Sequence, residues 1–150
     1  MIELLFSTSR NPLSALIRLA TWSRWSHVAL VVDGGFVVEA DAREGVRLAP
    51  FSGTLARCRD AALVGLACSN PRGVIAAAKS QIGKPFDYRG AFGLGLHRNW
   101  QDDQRWFCSE LIAWSFDAAG DRLFRSEAMH RVTPQHLWML EPSRRYFALR

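Results

Sequence analysis

Two runs of alternating residues flank Asp33-Gly34-Gly35, and the segment from Ser26 to Asp41 constrains the fold more than any other. Before the turn, Val28, Leu30 and Val32 alternate with His27, Ala29 and Val31. After it, Phe36, Val38 and Ala40 alternate with Val37, Glu39 and Asp41. A period of two is the signature of a strand, and a glycine-rich turn between two such runs predicts a hairpin. A two-residue loop would place Glu39 on the opposite face from His27. A three-residue loop pairs Val32 with Phe36 and Ala29 with Glu39. That register keeps six apolar residues on one face and gathers His27, Glu39 and Asp41 on the other, so burial favours it. Solvated strand faces also carry His, Glu and Asp, so the hairpin alone leaves the role of that face open.

The remaining elements fall around this hairpin. Ile2 to Phe6 reads as a strand. Asn11-Pro12 opens a helical pattern with Leu13, Leu16, Ile17 and Ala20 on one face. Gly45 to Phe51 and Ala61 to Ala67 read as further strands, and Pro71 to Ile82 as a helix stopped by Gly83. Lys84 to Trp100 reads as a glycine-rich loop, Trp106 to Ala119 as a helix stopped by Gly120, and Thr133-Pro134 to Leu140 as a helical turn. Tyr146 to Leu149 reads as a closing strand. A strand, a helix, several hairpin-linked strands and then helices predict an α+β fold, with an antiparallel sheet and helices packed on one side. At 150 residues the chain is sized for one domain, residues 1–150, with a core that needs no disulfides.

The helix from Trp106 contains Cys108, and Cys108, Leu111, Ile112 and Ser115 share one face at helical spacing. A thiol in a first turn meets the positive end of the helix dipole and unpaired backbone N–H groups, which favour thiolate and can hold an oxyanion. A start at Trp106 gives Cys108 that position; a start at Asp103 would bury it inside the helix as a small hydrophobe. The other cysteines, Cys58 and Cys68, have no comparable setting. Three cysteines without zinc spacing predict at least one free thiol and a reducing, cytoplasmic compartment. His97, His130 and His136 lack ligand spacing, so surface or packing roles are expected, with no metal and no cofactor.

The net charge is +5, and arginines collect toward the end at Arg122, Arg125, Arg131, Arg144, Arg145 and Arg150. They are scattered without a helical stripe, which predicts a solvated face and no nucleic-acid partner. The first twenty residues carry Glu3 and apolar runs broken by Ser, Arg, Asn and Pro. They read as neither signal peptide nor membrane span.

In order along the chain stand W-S-H-V-A-L-V-V at Trp25 to Val32, V-V-E-A at Val37 to Ala40, G-K-P-F-D at Gly83 to Asp87 and F-C-S-E-L-I at Phe107 to Ile112. Together they resemble the circularly permuted branch of the NlpC-type papain-like cysteine peptidases, the YiiX-like group, over roughly residues 25 to 140. The S-H-V and C-S-E-L elements are the specific ones. The resemblance implies a permuted papain-like fold in which the histidine strand precedes the cysteine helix. It also implies Cys108 as nucleophile, His27 as base and Glu39 as the residue that orients the imidazole, with Asp41 the rival for that place. Phe86 stands where the family often has Tyr, which leaves Tyr88 as the nearby aromatic hydroxyl. The expected function is a cysteine hydrolase cleaving an amide of a small peptide or cell-wall fragment. A thiol acyltransferase or thioesterase acting on an acyl lipid is the alternative, its pocket shaped by Gly90 to Trp106, and a non-catalytic binding module is the third reading.

Overall fold

The computed structural model describes residues 1–88 and 105–140. The loop expected over Lys84 to Trp100, His97 within it, and the closing strand expected at Tyr146 to Leu149 therefore lie wholly or largely outside the described residues, as do most of the expected pocket segment Gly90 to Trp106 and the side chain of His130.

Strands β1 (Ile2–Thr8), β2 (His27–Val32), β3 (Phe36–Asp41), β4 (Gly45–Pro50) and β5 (Asp60–Leu66) form one sheet in the order β4-β3-β2-β1-β5, with every neighbouring pair antiparallel. Val32 pairs with Phe36, which leaves Asp33-Gly34-Gly35 as the three-residue loop that burial favours. Gly34 and Gly35 have φ of 80° and 77°, left-handed values that a Cβ would oppose.

Helix α1 (Pro12–Thr21) crosses from β1 to β2, with the Asn11 side chain capping it by accepting from the Ser14 N–H and Pro12 in its first turn. Helices α2 (Phe51–Ala56), α3 (Pro71–Ser80), α4 (Cys108–Ala118) and α5 (Pro134–Met139) follow, with a 3₁₀ turn at Ser126–Arg131 before α5.

The apolar hairpin face, Val28, Leu30, Val32, Val38 and Ala40, joins the main core, where α3 packs on α4 and α4 lies across β2 and β3. Phe6, Trp25 and Trp138 stack edge-on and tilted at its centre, at ring distances of 5.0–6.2 Å. The opposite face is covered too. Leu5, Ala29, Val37, Ala49 and Ala61 form a second, smaller cluster under Phe51 and Leu55 of α2.

The fold is thus α+β with an antiparallel sheet and helices, as the sequence predicts, but several boundaries differ, and three of these bear on the site. Strand β4, expected to run to Phe51, stops at Pro50, and Phe51 begins α2 in place of the expected strand end and loop. Helix α3 ends at Ser80, two residues short of Ile82. Helix α4 starts at Cys108 and not at Trp106, because Trp106 is held in a parallel bridge to Phe86: its N–H donates to the Pro85 carbonyl, and its carbonyl accepts from the Asp87 N–H.

Candidate active site

His27 is the first residue of β2, opposite Ser7 of β1. Glu39 projects from β3 on the face that carries His27, as the parity of the hairpin requires. The His27 Nε2 and Glu39 Oε2 atoms lie 2.9 Å apart, with the ring N–H donating to the carboxylate. Cys108 is buried at the first position of α4, and its sulfur is near enough to the same imidazole to interact with it. With Nε2 committed to Glu39, Nδ1 is the nitrogen left for the sulfur. The imidazole keeps 24% of its side-chain surface open to solvent.

Three features of the sequence build this meeting point. Alternation in the hairpin sets His27 and Glu39 side by side. Extended backbone at Phe107 (φ −87°, ψ 151°) ends the approach to α4, so the N–H groups of its first turn have no intrahelical acceptor. G-K-P-F-D acts as a clip between them. The Gly83 N–H donates to the Val46 carbonyl and the Val46 N–H donates to the Lys84 carbonyl, each at 2.8 Å, while residues 85–87 bridge to Trp106 just ahead of Cys108. A Cβ on Gly45 would sit 2.3 Å from the Lys84 oxygen, so this close approach of two backbones requires glycine there.

Glu39 is 2% exposed and held from both ends. Its Oε1 accepts from Arg47 Nε at 3.0 Å and Nη2 at 2.8 Å, and from Arg57 Nη2 at 3.1 Å. Arg47 is the cross-strand partner of Glu39 on β4, and Arg57 follows α2. Sequence reasoning misses both arginines. An acid and a base facing each other across β3 and β4 was the available signal, but it becomes visible only once the register of that second hairpin is known.

Asp41 does not meet His27. Its Oδ1 accepts from the N–H groups of Arg43 and Glu44 at 2.8 and 3.2 Å, closing the turn to β4, and its Oδ2 pairs with Arg47 at 3.2 Å. The Tyr88 hydroxyl donates to the Ala42 carbonyl, and its ring packs edge-on against Phe86.

Electrostatics follow from these contacts. Burial works against a charged His27, but hydrogen bonds and charge from Cys108 and Glu39 outweigh it and push its pKa up to about 10. Burial likewise works against a charged Glu39, yet His27 and Arg47 hold it down at about 2. The arrangement is a run of opposite charges, arginine, carboxylate and imidazolium, with the Cys108 sulfur beside the imidazolium. The other two cysteines differ. Burial raises the Cys58 thiol, whose sulfur donates to the Thr54 carbonyl, and burial with a hydrogen bond to Asp121 raises Cys68. His136 caps α5, its Nδ1 accepting from the Thr133 N–H at 3.1 Å.

The model of one protein family, described as permuted papain-like amidase enzyme, YaeF/YiiX, C92 family, matches residues 3–142. The chain belongs to this family. As a permuted papain-like amidase it is an enzyme, a cysteine-type amide hydrolase at the level of the family. Among solved structures it is similar to that titled as the metalloprotein yiiX from Escherichia coli O157:H7. The two share 22% identity over 98% of this chain and 95% of that one, with a TM-score of 0.72, a likeness of fold. Among the described residues of this amidase, no group of three or more His, Cys, Asp or Glu side chains is arranged to hold a metal ion. None of the curated proteins matches the chain.

Proposed function

We propose that this amidase cleaves an amide of a small peptide or cell-wall fragment through a thioester on Cys108, with His27 as base and Glu39 as the residue that orients it. The observation that carries the reading is the His27 imidazole fixed by the Glu39 carboxylate at 2.9 Å, with the Cys108 sulfur as its neighbour. In this reading the thiol proton already rests on His27 Nδ1, and the imidazolium is stabilised by the carboxylate on Nε2. The thiolate attacks the amide carbonyl, and the backbone N–H groups opening α4 receive the oxyanion. The imidazolium then gives its proton to the departing amine as the C–N bond breaks, leaving the acyl group on sulfur. Water, deprotonated by His27, attacks the thioester, and the carboxylic acid leaves as the thiol re-forms.

A cytoplasmic, reducing setting suits a chain whose Cys58, Cys68 and Cys108 are all unpaired. Among the described residues no helix is long and apolar enough to cross a membrane. The test is to incubate the protein with mixed peptide amides and acyl lipids, quench in acid and weigh the intact chain. A peptidyl mass added at Cys108, absent from Cys108→Ala, supports the reading. A long-chain acyl mass at Cys108 would replace it with the lipid thioesterase or acyltransferase. No adduct, with no turnover of any amide, would refute it.

A further inference from the structure

Helix α1 is oriented against the usual rule. A surface helix turns its apolar stripe to the core and its polar side to water. Here Ser14 and Ile17 are the buried residues, while Leu16 is 43% exposed, Leu19 74% and Trp22, just past the helix, 92%. The expected inward face of Leu13, Leu16, Ile17 and Ala20 is therefore split, and Leu16 looks outward. Pro12 and Ala15 are also exposed, so the outward face of the helix is apolar along its length.

Trp22 adds a second anomaly. It closes the helix in the left-handed conformation, with φ of 51°, as the sole described non-glycine residue at positive φ. Glycine takes that position freely, whereas a side chain strains it. An indole that is almost wholly exposed gains little burial from the described residues of the fold, although its backbone is strained.

The charges around this face say what covers it. From Ser9 to Ser26 there are three arginines, Arg10, Arg18 and Arg24, and no acid. Arg10 and Arg24 are exposed, and the Arg24 guanidinium lies 5.0 Å over the Trp25 ring at the end of the same segment. Leucine and tryptophan on one face with arginines beside them is the composition of a helix lying in a membrane interface. There the apolar face enters the acyl boundary, the indole sits at headgroup level, and cations meet lipid phosphates. We propose that α1 and Trp22 form a docking surface for an anionic phospholipid bilayer. The helix has ten residues, so the contact is shallow and reversible.

The surface is also tied to the site. Ser14 Oγ of α1 lies 2.6 Å from Ser26 Oγ, and Ser26 immediately precedes His27. Docking would bring the strand of His27 toward the bilayer, where amphiphilic amides concentrate. That consequence rests on the proposed role of His27; the docking itself does not.

The experiment is co-sedimentation of the full chain with vesicles of phosphatidylcholine alone and of phosphatidylcholine with phosphatidylglycerol, across salt concentration. Binding should be roughly a hundredfold tighter to the anionic vesicles at low salt, from three arginines, and should weaken as salt rises. Leu19→Ser with Trp22→Ser should reduce it by about tenfold or more, from lost apolar burial. Trp22→Gly should weaken binding while leaving the melting temperature no lower, which separates docking from folding. Cys108→Ala should bind as the native chain does, so a failure of the catalytic reading leaves this one standing. Equal affinity for both vesicles, no binding to either, or indifference to Leu19 and Trp22 would overturn the proposal. So would a dimer in light scattering that the double substitution turns into monomer, since a second copy would then be what covers the face.

Discussion

Replacing Glu39 by glutamine keeps the shape of the side chain and removes its charge. The carboxylate accepts from His27 on one oxygen and from Arg47 and Arg57 on the other, at 2.8–3.1 Å, in a site 2% exposed. A hydrogen bond to a charged partner contributes about 1.5–3 kcal/mol. At about 1.4 kcal/mol per pH unit, losing the one to His27 lowers the imidazole pKa by about one to two units from its present value of about 10. The imidazolium keeps its second partner, Cys108, so the fall is not complete. Two arginines then face an amide, and because both reach solvent the cost in stability is that of the lost charged hydrogen bonds, about 1.5–3 kcal/mol.

The pH dependence of that cost has a defined sign. Glu39 is depressed from 4.5 to about 2, so its contribution is present above the ordinary value and is lost as pH falls toward 2. His27 is raised from 6.5 to about 10, so its contribution is complete below 6.5 and is lost as pH rises toward 10. The stability gap between native chain and Glu39→Gln should therefore be widest between these windows and narrow toward both extremes. Nuclear magnetic resonance titration of the His27 ring, together with urea unfolding across pH, measures both quantities. An unmoved His27 titration, or a gap that widens at high pH, would refute the reasoning.

Four further outcomes follow from the same contacts. Asp41→Asn should lower activity less than Glu39→Gln, since Asp41 serves the turn to β4; amidase rates compared side by side decide this, and a larger loss for Asp41→Asn would reverse the two roles. Arg47→Met should reduce kcat by about tenfold with little change in KM, because Arg47 acts through Glu39 and not on substrate, and should lower the His27 pKa. Gly45→Ala should cost at least about 1–3 kcal/mol in urea unfolding, from its positive φ and the Lys84 carbonyl that a Cβ would meet. Trp25→Ala should cost about 3–5 kcal/mol, as it empties the aromatic centre of the core.

The hairpin is legible in the sequence because its register decides burial: shifting it by one residue would expose the whole apolar face or separate His27 from Glu39. The fold class is legible for a similar reason, through period-two runs and short turns. Helix α2 is not. Its six residues follow a proline and carry Phe51 and Leu55 down onto the second sheet face, a pattern too short to tell from the end of a strand. The start of α4 is not legible either, because it is set by the bridge from Trp106 to Phe86, a contact between segments distant in sequence. The preference for Glu39 over Asp41 depends on backbone N–H groups of Arg43 and Glu44 that occupy Asp41, and side-chain alternation carries no record of them. Leu16 is the reverse case: helical periodicity places it inward, and the structure turns it to the outside.

The most direct test of the central claim, that His27 activates Cys108, is the alkylation rate of each cysteine by iodoacetamide, read by peptide mass spectrometry in the native chain and in His27→Ala. Cys58 and Cys68, whose thiols are raised by burial, serve as internal standards. The small reagent matters because Cys108 is buried and must be reached past the partly open imidazole. At neutral pH Cys108 should react fastest of the three, and His27→Ala should slow it by about tenfold or more while leaving Cys58 and Cys68 unchanged. If Cys108 reacts no faster than Cys58 at any pH, or if its rate ignores the loss of His27, then Cys108 is a packing residue and the proposed mechanism is wrong.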